Sequence, residues 1–180
     1  MGLGYILALL TLLATVLIGG LGGTFAIIQW NKSNRIRRTE FVNQILEKFR
    51  FDEKLANTIY KLDYSERWYD DNFHNSKEKQ YEFDSLFAYL TYVCYLRHSK
   101  SLTAKDFTVF EYIVKRACMS HQTQEYLWNL HHWAKRNNTA SSYQYLIEYL
   151  KKSVLNDEQR KVFDSNTSPN ANGYKKRINI

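Results

Sequence analysis

The sequence predicts an all-α protein, with an N-terminal transmembrane helix followed by a cytoplasmic bundle of about five helices. Three observations predict this class. The first thirty of the 180 residues carry no charge, six of the seven glycines lie within the first 23 residues, and the 145 residues from Thr24 to Ser168 contain neither glycine nor proline. Hairpin turns favour residues that adopt a positive φ, so this distribution argues against a hairpin-rich β fold. It also excludes a glycine-rich phosphate-binding loop after the first helix.

The anchor is predicted over residues 1–30. Leu3 to Ile28 is apolar or small throughout, and these 26 residues exceed the roughly 20 that a helix needs to cross a bilayer core. By the positive-inside rule, the basic residues that follow place the N-terminus outside the cell membrane and the rest of the chain in the cytoplasm. A cleaved signal peptide is the alternative, and it fits less well because the positive charge lies on the wrong side of the apolar run. The basic cluster consists of Lys32, Arg35, Arg37 and Arg38.

Small residues recur inside the predicted anchor at the spacing of one helix face. Small residues four positions apart let two helix backbones approach closely in a bilayer, so the pattern predicts self-association into a homo-oligomer. Two other interpretations stay open, since glycine is common in membrane helices generally and the run from Gly19 to Gly23 offers a place for a kink. The residues on this face are Thr11, Thr15, Gly19, Gly22, Gly23 and Ala26.

Residues 31–155 are predicted to form the helical domain, because apolar residues recur there at helical spacing. Asp52 is a candidate cap for a restart within the first segment, and Thr103 with Asp106 forms a candidate cap before the third. Residues 156–180 are polar and are predicted to be a disordered basic tail. The five predicted helical segments are 35–62, 81–98, 104–118, 123–136 and 142–154.

The predicted core centres on the second and third segments. Leu90 and Phe110 are expected to be buried there, and Cys94 and Cys118 fall on the same apolar helices, so both are expected to be buried free thiols. Residues 64–80 are polar and irregular and are predicted to be a solvated loop.

The residues that commonly bind metal ions, histidines and acidic residues, show no spacing typical of a metal site. The five histidines lack zinc-protease spacing, and the acidic residues of the predicted loop lack the spacing and the turn glycine of a calcium loop. The sequence therefore indicates no metal and no cofactor.

The net charge of +7 lies wholly outside the predicted anchor. Anionic lipid accounts for the cluster beside the anchor. Nucleic acid is an alternative partner for the basic residues near the C-terminus, but most of the aromatic residues that would stack on bases fall at core positions. The predicted partners are therefore the lipid bilayer, a second copy of the chain and a protein partner in a complex.

One short segment suggests a catalytic alternative. Residues 116–121 resemble the signature of the HEPN ribonucleases, which are also helical bundles and carry an arginine followed by a histidine a few residues later. The resemblance implies that Arg116 and His121 would meet across a dimer and cleave RNA through its 2′-hydroxyl. The segment departs from the family at Ala117, where a polar residue is usual.

The layout of residues 1–155 resembles that of uncharacterised single-pass, membrane-anchored helical proteins of bacteria. The likeness rests on the single span, the basic stop, the helix 37–46 and a helix–turn–helix around residues 95–98 and 103–107. It carries over no catalytic residue, but it implies a link with anti-phage systems, in which some such proteins act as effectors or accessories.

Together these observations predict a non-enzymatic, membrane-anchored and self-associating interaction module, or a membrane-perturbing effector. A membrane-tethered ribonuclease and a regulatory subunit of a larger membrane complex are the alternatives.

Overall fold

A computed structural model describes residues 2–64, 67–165 and 174–178, and these residues form helices and turns but no strand. The all-α prediction is therefore confirmed. The chain divides into two compact units, Met1–Ile45 and Leu46–Ile180. Within the described residues the α-helices are α1 (Leu3–Phe51), α2 (Glu53–Asp63), α3 (Lys77–His98), α4 (Ala104–Met119), α5 (His121–Arg136), α6 (Gln144–Ser153) and α7 (Asp157–Asp164).

The helix α1 joins the predicted anchor and the first part of the next predicted segment. Its 49 residues correspond to a length of about 74 Å at the usual helical rise. It continues without a break through the glycine run and the basic cluster, as expected where no helix-breaking residue separates Trp30 from Arg35. It contains a stretch that is long and apolar enough to cross a membrane.

Asp52 ends α1 and starts α2. Its carboxylate accepts hydrogen bonds from the main-chain N–H groups of Lys54 at 3.0 Å and Leu55 at 3.2 Å. A helix start leaves such N–H groups without partners in the helix, so this is the restart that the capping signal predicts. The first predicted segment, residues 35–62, is therefore divided between two helices.

The central helix of the second unit is α3, which packs against α2, α4 and α6. Leu90 on α3 and Phe110 on α4 are 1% and 2% exposed, so the predicted core is confirmed. Thr103 and Asp106 cap α4 reciprocally, each side chain accepting a hydrogen bond from the main-chain N–H of the other. The starts and ends of α3 to α6 lie within four residues of the predicted ones.

The prediction that residues 64–80 form a solvated loop is wrong for three of the aromatic residues in that segment. Trp68, Tyr69 and Phe73 are at most 4% exposed, and the 3-10 turn Phe73–Asn75 carries the last of them into the core. The indole of Trp68 stacks on the ring of Phe83, with centroids 4.0 Å apart. Stacked aromatic pairs add attraction beyond their buried area, which explains why this irregular segment packs inward.

The prediction of disorder after residue 156 is also wrong for the described part of that segment. Asn156 and Gln159 form a reciprocal cap for α7, whose Phe163 is fully buried. Tyr174 is only 4% exposed, so residues 174–178 pack against the domain as well. Residues 166–173 lie outside the described residues.

Candidate functional site

The predicted self-association face of α1 is exposed along its whole length. A Cβ atom added at Gly19, Gly22 or Gly23 would meet nothing within 4 Å, so another helix has room to approach there. Thr11 and Thr15 donate their hydroxyls to the carbonyls one turn earlier, at 2.9 and 2.8 Å. Because an unsatisfied hydroxyl is costly in hydrocarbon, these bonds suit the face to a bilayer. Ala26 lies on the same exposed helix.

The four residues of the predicted basic cluster lie on the same helix, directly after the apolar stretch. Each is exposed, and none of the residues between Met1 and Arg38 is acidic. An anionic lipid surface attracts such a cluster by about 1 kcal/mol for each basic residue close to it. The cluster consists of Lys32, Arg35, Arg37 and Arg38.

The candidate ribonuclease pair lies at the junction of α4 and α5, where both side chains are exposed. The guanidinium of Arg116 lies over the ring of Tyr112, 5.6 Å from its centroid. His121 lies 4.0 Å from a carboxylate oxygen of Glu125, and its ring is 5.5 Å from that of Tyr174. Neither Arg116 nor His121 lines the cavities described below.

A groove of about 750 Å³ runs between α5, α6 and α7. Its rim is predominantly basic, since four cationic side chains share it with a single carboxylate, Glu148. Lys151 makes an ion pair with Asp164 at 2.6 Å, and burial lowers the pKa of His131 on the opposite wall. Arg160 also pairs with Asp157, at 3.3 Å, so Lys135 and Lys152 are the cations of the groove that no carboxylate approaches among the ion pairs of the described residues. The four cationic residues are Lys135, Lys151, Lys152 and Arg160.

A smaller cavity of about 170 Å³ adjoins this groove and is lined by Asp84. The same carboxylate oxygen of Asp84 accepts hydrogen bonds from the hydroxyls of Tyr126 and Tyr143, the latter at 2.8 Å. Burial raises the pKa of both tyrosines above the usual value, so both hydroxyls remain donors at neutral pH. Trp133 also lines the cavity, and its Nε1 has no hydrogen-bond partner among the described residues. The carboxylate of Asp84 therefore links α3 to α5 and to the residue that precedes α6.

The most elaborate polar cluster joins the C-terminal residues to α5 and to the segment before α3. The Nε of Arg177 donates to a carboxylate oxygen of Glu125 at 2.7 Å, and both side chains are at most 7% exposed. The guanidinium of Arg177 also pairs with Asp71 and lies 5.2 Å from the ring centroid of Tyr69. Lys175 makes a second ion pair with Asp71 at 2.7 Å, and this hydrogen bond holds the pKa of the Asp71 carboxyl below its usual range.

Asn129 and Gln124 on α5 complete this cluster. The side-chain amide of Asn129 donates to the carbonyl of Lys175 and accepts from the N–H of Arg177, both at 2.9 Å. Gln124 accepts the hydroxyl of Tyr174 at 2.9 Å. Sequence reasoning missed this cluster, because its C-terminal residues lie 46–52 positions from their partners on α5 and 104–106 positions from Asp71, and no spacing rule connects them.

Cys94 and Cys118 are both buried and form no disulfide, so the prediction of buried free thiols is confirmed. Burial raises the pKa of Cys94 to about 12 and raises that of Cys118 well above its usual value. Since the thiolate is the nucleophilic form, neither side chain is suited to nucleophilic catalysis at neutral pH.

Comparison with known proteins adds no relative. No protein-family model, no curated protein and no solved structure matches this chain.

Proposed function

We propose that this chain is a single-pass membrane protein that presents its helical domain in the cytoplasm as a self-associating interaction module. The observation that carries the proposal is the composition of α1, in which an uncharged apolar stretch runs directly into an exposed basic cluster. Large apolar side chains on this stretch are exposed, for example Leu12 at 66% and Ile18 at 71%. An exposed apolar surface of this size requires lipid or a protein partner.

The helical domain supports an interaction role better than a catalytic one. Within one chain, Arg116 lies over the ring of Tyr112, whereas His121 lies near Glu125 and Tyr174, so the two side chains are engaged by different neighbours and line neither cavity beside α5 and α6. An acid–base site needs its groups aimed at a common position where a reacting atom can sit. The domain instead carries a basic groove and a charged cluster that holds an extended peptide segment, which are features of binding surfaces.

The experiment reconstitutes the purified chain into vesicles of neutral and anionic lipid that contain a fluorescent dye. We expect the protein to float with the vesicles after an alkaline wash and the dye to stay inside. Recovery of the protein in the soluble fraction would contradict the anchor, and release of the dye would favour a membrane-perturbing effector over an interaction module.

A pair of charge variants makes this experiment specific for the apolar stretch. Leu12→Arg/Leu13→Arg places two charges in the centre of the stretch, and each costs about 2.5–3.5 kcal/mol there. We therefore expect this variant to be extracted by the alkaline wash. Asn31→Arg/Asn34→Arg adds the same charge beside the basic cluster, and we expect it to remain in the vesicles.

A further inference from the structure

We propose that the surface formed by α5 and the segment before α3, which carries the carboxylates of Glu125 and Asp71, is a binding site for extended basic peptides, and that residues 174–177 occupy it as an intramolecular ligand. This inference deepens the proposed interaction module by naming the chemistry of its partner. We call this surface the peptide site. It consists of Tyr69, Asp71, Gln124, Glu125, Trp128 and Asn129.

The peptide site recognises the main chain of its occupant. The side chain of Asn129 bonds the carbonyl of Lys175 and the N–H of Arg177, as a neighbouring strand would. Asn129 is 3% exposed with residues 174–177 in place, and its side-chain NH2 also donates to the carbonyl of Glu125 at 2.9 Å, a bond within α5 that does not involve the bound segment. Main-chain bonds of this kind supply affinity for any extended segment and leave selectivity to the side chains.

A buried charge gives the peptide site its preference for arginine. With residues 174–177 in place Glu125 is 5% exposed, and the guanidinium of Arg177 contacts it, Asp71 and the ring of Tyr69. The other basic neighbour of Glu125 among the ion pairs of the described residues is His121, which is 4.0 Å away and largely exposed. A buried carboxylate without a cation is strongly destabilised, so Glu125 requires a positively charged partner. Arginine suits this position because its planar group bonds two carboxylates while it stacks on an aromatic ring.

The bound segment places a tyrosine, Tyr174, among aromatic side chains three positions before Arg177. The ring of Tyr174 lies 5.5, 6.0 and 6.3 Å from the ring centroids of His121, Trp128 and Phe163, and its hydroxyl donates to the side-chain oxygen of Gln124. Lys175 adds a surface ion pair with Asp71, whereas Lys176 is exposed. The preferred peptide is therefore extended, with a tyrosine, a basic residue, a position of free choice and an arginine.

The occupant is separable from the site that holds it. Residues 174–178 form no helix or strand of their own, and eight residues, 166–173, separate them from Ser165 at the end of α7. The polar groups that bind residues 174–177 belong to α5 and to the segment before α3, so a peptide from another molecule would meet the same groups. A tethered segment acts at a high effective concentration, and an outside peptide must compete with it.

The test measures binding of a fluorescent peptide with the sequence of residues 173–178 to the full chain in mild detergent. We expect weak binding to the wild type, and binding about tenfold tighter or more to the variant Tyr174→Ala/Arg177→Ala, whose own segment is weakened. Adding Glu125→Gln to that variant should abolish the gain. A folded Tyr174→Ala/Arg177→Ala variant that binds no peptide would overturn the proposal.

Matched peptides separate recognition from simple charge attraction. A peptide with alanine in place of Arg177 should bind about tenfold more weakly or worse, and one with alanine in place of Lys176 should bind like the original. Equal binding of all three peptides would overturn the proposal.

A second experiment tests the proposal if the variant Tyr174→Ala/Arg177→Ala does not fold. A protease site placed within residues 166–173 allows the folded chain to be cut after purification, and the cut chain should then bind the labelled peptide. Failure of the cut, folded chain to bind it would contradict the proposal. These assays have no membrane readout, so their failure would leave the proposed anchor standing.

Discussion

At the scale of single residues, a few buried polar groups tie together helices that the sequence presents as independent. Asp84 on α3 accepts hydroxyls from Tyr126 on α5 and Tyr143 just before α6. Replacement by alanine would leave both buried hydroxyls without their acceptor, and each such loss costs about 1–3 kcal/mol. We therefore expect Asp84→Ala to lower the free energy of unfolding by about 2 kcal/mol or more, measured by urea denaturation followed by circular dichroism.

Glu78→Ala is the matched control for this measurement. Glu78 lies on the same helix but is exposed. Its removal should change the free energy of unfolding by about 0.5 kcal/mol at most. Equal effects of the two substitutions would mean that the Asp84 bonds contribute nothing to stability.

The sequence predicts which residues form the core better than it predicts which residues pair. The apolar pattern alone predicts that four residues are buried, and the structure confirms each of them: Leu90, Cys94, Phe110 and Cys118. The pair of Glu125 and Arg177 is separated by 52 positions, and both residues look like ordinary surface charges in the sequence. Only the folded chain brings them together, because a pairing at that separation follows from topology and leaves no local pattern.

At the scale of elements, periodicity locates α3 to α6, whereas the division between α1 and α2 is indicated by the capping residue Asp52. Periodicity fails for the segment before α3, because Trp68, Tyr69 and Phe73 follow neither the helical nor the strand repeat. It also fails for α7, which has eight residues and one fully buried aromatic, Phe163. The capping pair of Asn156 and Gln159 was the signal that would have located α7.

The small-residue face of α1 gives a prediction about assembly. Replacing Gly19 and Gly23 by isoleucine keeps the helix apolar, so insertion should be unaffected, but the added side chains prevent two backbones from approaching. We expect Gly19→Ile/Gly23→Ile to convert an oligomer into a monomer, as measured by mass in mild detergent and by cross-linking in membranes.

The control for this variant carries the same new side chain on the opposite face. Leu17→Ile/Leu21→Ile should leave the oligomer intact, because these positions lie about half a turn away from the glycines. An oligomer that survives Gly19→Ile/Gly23→Ile unchanged would mean that assembly depends on the helical domain.

At the scale of the whole molecule, the central proposal is that α1 spans a bilayer and that the chain after the basic cluster stays on the cytoplasmic side. Two features of α1 lead to this orientation, the uncharged N-terminal stretch and the cationic residues that follow it. Positive charge is retained on the cytoplasmic side during insertion, and a short uncharged N-terminus is translocated readily. The helical domain should therefore never reach the glycosylating enzymes, which act on the non-cytoplasmic side of the membrane.

Glycosylation in a translocating membrane tests this orientation most directly. The chain has natural acceptor sequences at Asn31, Asn137 and Asn166. Asn31 and Asn166 are replaced by glutamine, which leaves Asn137, an exposed residue followed by Asn138 and Thr139, and a second acceptor is added on an extension before Met1. We predict one glycan on the extension and none at Asn137, read as a mass shift that an endoglycosidase removes. A glycan at Asn137 with an unmodified extension would contradict the proposed orientation, and a chain without any glycan that an alkaline wash releases would contradict the membrane anchor itself.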